Sequence, residues 1–374
     1  NSLEKLRRTT PTTSGEFIGT ASTTPRDHKL NWTNPSTTLI NTLDEPLTPF
    51  PAWLPTSFDN FEETIKQIVN NDIFDWLFNH PEAITITGRQ VLLGTLIIAT
   101  EKQQENTFFR NVVDFIAGNP PTRPPFPNPE SQVVASNPSD IDIQYVETSG
   151  PLWGTDGPQP LVDIKQGNIS DCHPLAVLQC VPSSQLQQMI HDNRDGTYTV
   201  RLYDVDQYGN PAPVFVRVDS KLPNPPLAAY DSSQKWVAIF EKAYAIHMGG
   251  FDKISSSGNV TYAASTRITG LPTALYYGGA GHHDLIFKRL IRATQEGRPA
   301  TARGYFGEVP DGAALNHAYG ILKAYKNERG ERLITLRNPW GHGEIGADEN
   351  DDGVFTISYD EFIRTFPFIL VAGG

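Results

Sequence analysis

The chain has 374 residues, with 42 acidic against 30 basic side chains and a formal net charge of −12. That length predicts two or three folding units, and the acidity speaks against a nucleic-acid partner, which needs a basic face. The longest strongly apolar run, Val91 to Ala99, is about half of what a bilayer requires, and Asn1 onward lacks a basic stretch followed by an apolar one. Neither a membrane span nor a signal peptide is expected, and localisation stays open.

Residues 1–50 are Thr-rich and Pro-punctuated, as in Thr9-Thr10-Pro11-Thr12-Thr13, with few large apolar groups; alone, such a leader buries too little surface to fold. From Ser57 onward Phe61, Ile65, Ile68, Val69, Ile73, Trp76 and Leu77 recur at helical spacing. Further helices are predicted around Val91–Ala99 and over Phe108–Ile116, with Gly118 at the stop, so a helical domain is assigned to 51–118. Residues 119–148 are read as a Pro-rich, semi-rigid linker, since six of the eleven positions from Asn119 to Pro129 are proline. The remainder, 149–374, mixes helix and strand. A helix is predicted from Cys172 to about Cys180, strands over Thr197–Tyr203 and Val214–Val218, and a helix on Trp236, Ile239, Phe240, Ala243 and Tyr244. Beyond Gly270 strands are expected to dominate, with His317–Tyr325 and Arg332–Arg337 forming a hairpin and Val354–Ile357 and Phe368–Val371 following.

Chemistry concentrates at three positions. Ser170-Asp171-Cys172-His173-Pro174 opens a helix: Ser170 or Asp171 is suited to cap it, and Pro174 is tolerated only in a first turn. Cys172 then lies at the positive end of the helix dipole, which favours thiolate. Cys180, the only other cysteine, sits in an apolar run and reads as core. Along a helix the two are roughly 12 Å apart, too far for a disulfide between them. If Tyr325 pairs with about Arg332, antiparallel register carries His317 opposite or next to Asn338. An amide oxygen that fixes an imidazole leaves the other ring nitrogen free to take a thiol proton. The order Cys172, His317, Asn338 agrees with Cys-His-Asn sites of the papain type.

Ordered motifs over about 160–370 resemble the catalytic core of the calpain family: Gln166-Gly167-Asn168-Ile169-Ser170-Asp171-Cys172, Val218-Asp219-Ser220-Lys221-Leu222-Pro223, the helix from Trp236 to Ala245, His317-Ala318-Tyr319, Leu336-Arg337-Asn338-Pro339-Trp340-Gly341, and Asp352 to Phe362. The resemblance implies an α+β, two-lobed papain-like fold. Its helical lobe, about 149–258, carries Cys172, and its β-rich lobe, 259–374, carries His317 and Asn338. It also implies that Gln166 donates to the oxyanion with the Cys172 N–H, that Trp340 covers the His317–Asn338 contact, and that Gly258 lines the substrate cleft. Two departures flank the machinery. His173 stands where the family has Trp, and Asn316 where it has Gly; both are expected beside the cleft.

The function implied is a cysteine endopeptidase that cleaves extended polypeptide segments through a thioester and needs no cofactor for the chemistry. The alternatives are a catalytically silent module that keeps the fold, or an acyl-transfer enzyme using the same triad. For calcium the resemblance points to Glu344, Asp348 and Asp352 as oxygen ligands. A second family position pairs Asp163 with an acid that is here Gln234, which weakens that site. The 51–118 domain has no counterpart in the family and is read either as a pro-region or as a docking module for a partner.

Overall fold

The computed structural model of the protein describes residues 123–373, apart from 140–142, 206–210, 228–233, 257–259, 279–282, 305–311, 315 and 347–349. The expected leader, the whole of the helical domain and its boundary with the linker lie outside the described residues. What is described is α+β, organised around two hydrophobic cores.

The first core gathers α1 (Pro160–Asp163), α2 (Cys172–Gln179), α3 (Ser183–Leu186), α4 (Trp236–Met248), α5 (Phe251–Ser256) and α6 (Val260–Thr269) with the antiparallel meander β2 (Ile190–Asp192), β3 (Thr197–Val205) and β4 (Pro211–Asp219). Helix α4 ends where Gly249 takes a left-handed conformation (φ 92°), the stop that a residue without Cβ allows. Its Lys242 is buried and paired: Nζ donates to the Asp219 carboxylate at the end of β4 and to the Lys221 carbonyl (2.7 Å). These two contacts join two of the motifs picked out in the sequence.

Residues expected as a semi-rigid linker are laid along this core from Phe126 onward. Phe126 stacks on His191 at 5.2 Å between ring centroids and meets Phe215 edge-on at 5.7 Å. Arg217 holds the strap by donating from Nη1 to the carbonyls of Pro129 (2.6 Å) and Gln132 (2.8 Å). The strap then enters β1 (Gln144–Glu147), which pairs antiparallel with β5 (Lys221–Asn224). Proline restricts the chain here, but the aromatic and arginine contacts decide where it goes.

The second core lies on a six-stranded antiparallel sheet in the order β10 (Val354–Ser358), β9 (Arg332–Arg337), β8 (His317–Lys326), β7 (Ala300–Gly304), β11 (Phe368–Ala372), β6 (Thr273–Tyr277). Two helices cover it, α7 (His283–Gln295) and α8 (Tyr359–Thr365). The strands beyond Gly270 were expected; α7 was not. Its sequence carries the signal, since Ile286, Phe287, Leu290 and Ala293 fall on one face and are all buried. Truncating Leu290 to Ala is expected to cost about 2–5 kcal/mol.

Helix α2 forms the seam between the cores. It is apolar nearly all round and every residue from Cys172 to Gln179 is buried, the pattern of a helix enclosed on all sides. Leu175, Val177 and Leu178 face the first core. Cys172 and Ala176 turn the other way, onto Ala318 of β8. No helix among the described residues is long and apolar enough to cross a membrane.

Candidate active site

The β8–β9 hairpin delivers His317 and Asn338 to one point. Tyr325 stands opposite Leu333 and Ile321 opposite Leu336, with an irregularity between Ile321 and Lys323 that moves the register by one position. Paired strand ends at Arg337, and Asn338 begins the following turn. His317 Nε2 and Asn338 Oδ1 are 2.8 Å apart; with an oxygen as acceptor, the ring nitrogen donates and Nδ1 is the nitrogen left available. Asn338 is itself fixed, its Oδ1 accepting from Trp340 N (3.0 Å) and its Nδ2 donating to Gly343 O (3.2 Å). The Trp340 ring lies 4.4 Å from the imidazole, the cover expected of it.

Cys172 opens α2 and is 7% exposed. Both cysteines are free thiols, as their spacing required. Burial raises the Cys172 thiol, opposed by the Ala318 backbone and the positive charge of Arg303. Burial likewise pushes the His317 imidazole down to about 4, opposed by its bond to Asn338 and reinforced by Arg303. At neutral pH these causes favour a neutral thiol and imidazole. Burial acts on this thiol in the direction opposite to the helix dipole anticipated from the sequence.

Several expected residues sit differently. Asp171 occupies the N-cap position but makes no side-chain capping bond. Its carboxyl is fully buried and turned toward Glu241 of α4, and burial pushes it up to about 7. His173 does not line a cleft: it is 2% exposed and packs edge-on against Tyr244 at 6.2 Å, where burial holds its imidazole well below the ordinary range. Gln166 lies beside the site, its backbone N–H on Pro339 O (2.8 Å), while its side-chain nitrogen donates to Ile169 O (2.6 Å) and its amide also bears on the buried Asp171 carboxyl. Asn316 is exposed, directly before His317, and has a left-handed φ of 53°. Gly258 lies outside the described residues.

The calcium set is not assembled among the described residues, where no group of three or more His, Cys, Asp or Glu converges. Asp348 lies outside them. Glu344 Oε1 accepts from the backbone N–H of Asp352 (2.8 Å) and Gly353 (2.7 Å), and Asp352 Oδ1 from Val354 N (2.9 Å). In this structure one oxygen of Glu344 and one of Asp352 thus serve as backbone acceptors. At the other position, Asp163 receives Trp236 Nε1 (2.8 Å), Gln159 N (2.7 Å) and the Gln234 amide. Neutral donors take up the carboxylate there.

Residues missed in the sequence include Glu241, Arg303 and Gln179. With its amide oriented to satisfy both groups, Gln179 accepts from Arg337 Nη1 (2.7 Å) and donates to the Arg337 carbonyl (3.2 Å), tying α2 to the strand that precedes Asn338. The available signal was a polar residue inside an otherwise apolar element, as with Arg303 in Ala300-Thr301-Ala302-Arg303-Gly304.

Comparison with known proteins identifies the family. The model of the calpain family cysteine protease matches residues 151–351. Human calpain-14 is 31% identical over 209 residues, covering 51% of this chain and 29% of that protein. Calpain-B of Drosophila melanogaster is 26% identical over 298 residues (65% and 31%), and the calpain-2 catalytic subunit of Bos taurus 27% over 248 (54% and 34%). The chain thus spans about a third of the length of these relatives. With more than half of its residues inside the family's protease domain, this chain belongs to the calpain family of cysteine proteases.

Proposed function

We propose that the protein is a cysteine endopeptidase whose two cores are the lobes of a papain-like fold, with Cys172 as nucleophile, His317 as general base and Asn338 as orienter. The observation that carries this reading is the His317–Asn338 bond of 2.8 Å beneath Trp340, on the strand whose next residue, Ala318, packs against Cys172. Nδ1 of His317 takes the thiol proton as sulfur attacks the carbonyl carbon of an extended polypeptide. The oxyanion is met by the Cys172 N–H and the side-chain amide of Gln166. The imidazolium returns the proton to the leaving amine, a thioester remains on Cys172, and water activated by the same base releases the acid.

Burial disfavours charge on both partners, and in this reading the proton moves when substrate arrives. No step is routed through calcium: Gln234 and Trp236 occupy Asp163, and Glu344 braces a backbone turn. Calorimetric titration of the full chain with calcium, with activity measured in chelator, tests this. Heat of binding at stoichiometric calcium together with loss of activity in chelator contradicts it. For the enzyme reading, the test is incubation with an unfolded protein with and without a thiol-directed epoxide. Peptide release that ends in Cys172→Ala and in His317→Ala is expected. Hydrolysis undiminished in Cys172→Ala overturns the assignment, and no hydrolysis in the parent favours a silent module.

A further inference from the structure

Strand β7 carries one cation among small residues. Arg303 is 3% exposed and stands opposite Ala318, the residue on which Cys172 and Ala176 pack. Directly opposed residues of an antiparallel pair share a face of the sheet, so the arginine shares the face that meets the thiol. The neighbouring pair is Gly304 with His317. Arg303 Nη2 donates to the side-chain oxygen of Asn316, whose own N–H is held by Gly304 O at 2.9 Å. A non-glycine residue at positive φ is uncommon, and Asn tolerates that region better than most. Here its side chain is anchored by the buried guanidinium. Burying such a group is costly unless its donors are met.

We propose that Arg303 is a positioning residue of the catalytic site: clamped by Asn316, it fixes a positive charge behind Cys172 and secures the turn that launches His317. This rests on the assignment of Cys172 and His317 given above. The charge acts with one sign on both members of the pair. It favours thiolate on Cys172 and opposes protonation of His317. The other groups facing this space are Asp171 beside Cys172, with Glu241 next to it from α4, Arg267 of α6 acting on His173 and Tyr244, and His173 itself, which is held neutral. Of these, Asp171 opposes Arg303 at the thiol.

The experiment compares full-length parent, Arg303→Met, Arg303→Lys and Asn316→Gly. Alkylation of Cys172 by iodoacetamide is followed against pH by peptide mass spectrometry, and kcat/KM on an unfolded protein is followed over the same range. Cys180, which burial pushes up to about 12, serves as an internal unreactive thiol. Arg303→Met is expected to move the alkylation midpoint, and both limbs of the kcat/KM profile, to higher pH by about one unit or more. Arg303→Lys restores most of the shift. Asn316→Gly, compatible with the positive φ and at an exposed position, moves the midpoint the same way by less; it keeps the proposal testable if near-ultraviolet circular dichroism shows Arg303→Met misfolded. An unmoved midpoint in both Arg303→Met and Asn316→Gly, or equal losses in Arg303→Met and Arg303→Lys, overturns the proposal. A shifted midpoint in a protein without Cys172-dependent hydrolysis supports the role of Arg303 and overturns the enzymatic reading instead.

Discussion

Asp171→Asn is expected to stabilise the protein, and the gain should grow with pH. In the fold Asp171 is wholly buried against Glu241, and two facing carboxyls need a proton between them, because an ionised pair offers acceptors and no donor. Desolvation moves the Asp171 acid from 3.8 to about 7. Since the folded value lies above the unfolded one, any stability linked to this group is whole below about pH 4 and is lost as pH rises toward 7. The slope across that window is about 1.4 kcal/mol per pH unit for one proton, so roughly 2 kcal/mol disappears between pH 5.5 and 7. An asparagine at 171 donates N–H to Glu241 at every pH and carries no such loss. Urea denaturation of parent and variant, followed by tryptophan fluorescence at pH 5.5, 6.2 and 7.0, gives the difference directly. Parallel stability curves would falsify the shared proton.

Asn338→Ala should lower kcat by one to three orders of magnitude with a smaller change in KM, because it frees the imidazole without removing nucleophile or base; steady-state kinetics on an unfolded substrate checks this. Glu344→Ala should cost about 1–3 kcal/mol, leaving the N–H groups of Asp352 and Gly353 without their acceptor, read as a lowered urea midpoint with calcium absent. Gln234→Glu should weaken the fold at neutral pH by placing a second carboxylate against Asp163, and added calcium should restore it; a parental midpoint in chelator refutes this. A chain begun at Ser149 strips Phe126 from Phe215 and leaves β5 without β1, so its thermal midpoint should fall below that of a chain begun at Arg123. Release from any inhibitory N-terminal segment is therefore best sought with the longer version, and equal midpoints would show the strap to be dispensable.

The positions of Cys172, His317 and Asn338 were readable because each announces itself locally: a helix start, two alternating runs and a turn between them. Their convergence was readable only approximately, since the irregularity between Ile321 and Lys323 changes the register in a way that strand alternation alone does not reveal. Long-range burial was the larger gap. Asp171 looks like a cap until Glu241, 70 residues later in the sequence, is placed beside it. His173 looks like a cleft residue until α4 supplies Tyr244. The prolines of the strap suggested a tether because proline restricts the backbone without saying what lies next to it; Arg217 and Phe215 supply that neighbour. Helix α7 was the avoidable omission, its apolar face being visible at ordinary helical spacing.

The turn braced by Glu344 has one more consequence. Asn338 N donates to Gly353 O at 2.8 Å, while Gly353 N donates to Glu344 Oε1 at 2.7 Å, so Asn338 is buttoned to the start of β10, and Glu344 with Gly353 forms a closed base. Length added beyond that base raises closure entropy only logarithmically, about 0.6 kcal/mol per doubling, and leaves the buttoned atoms in place. A peptide tag or a small reporter domain inserted directly after Gly346 would therefore ride on the protease while the His317–Asn338 bond keeps its geometry.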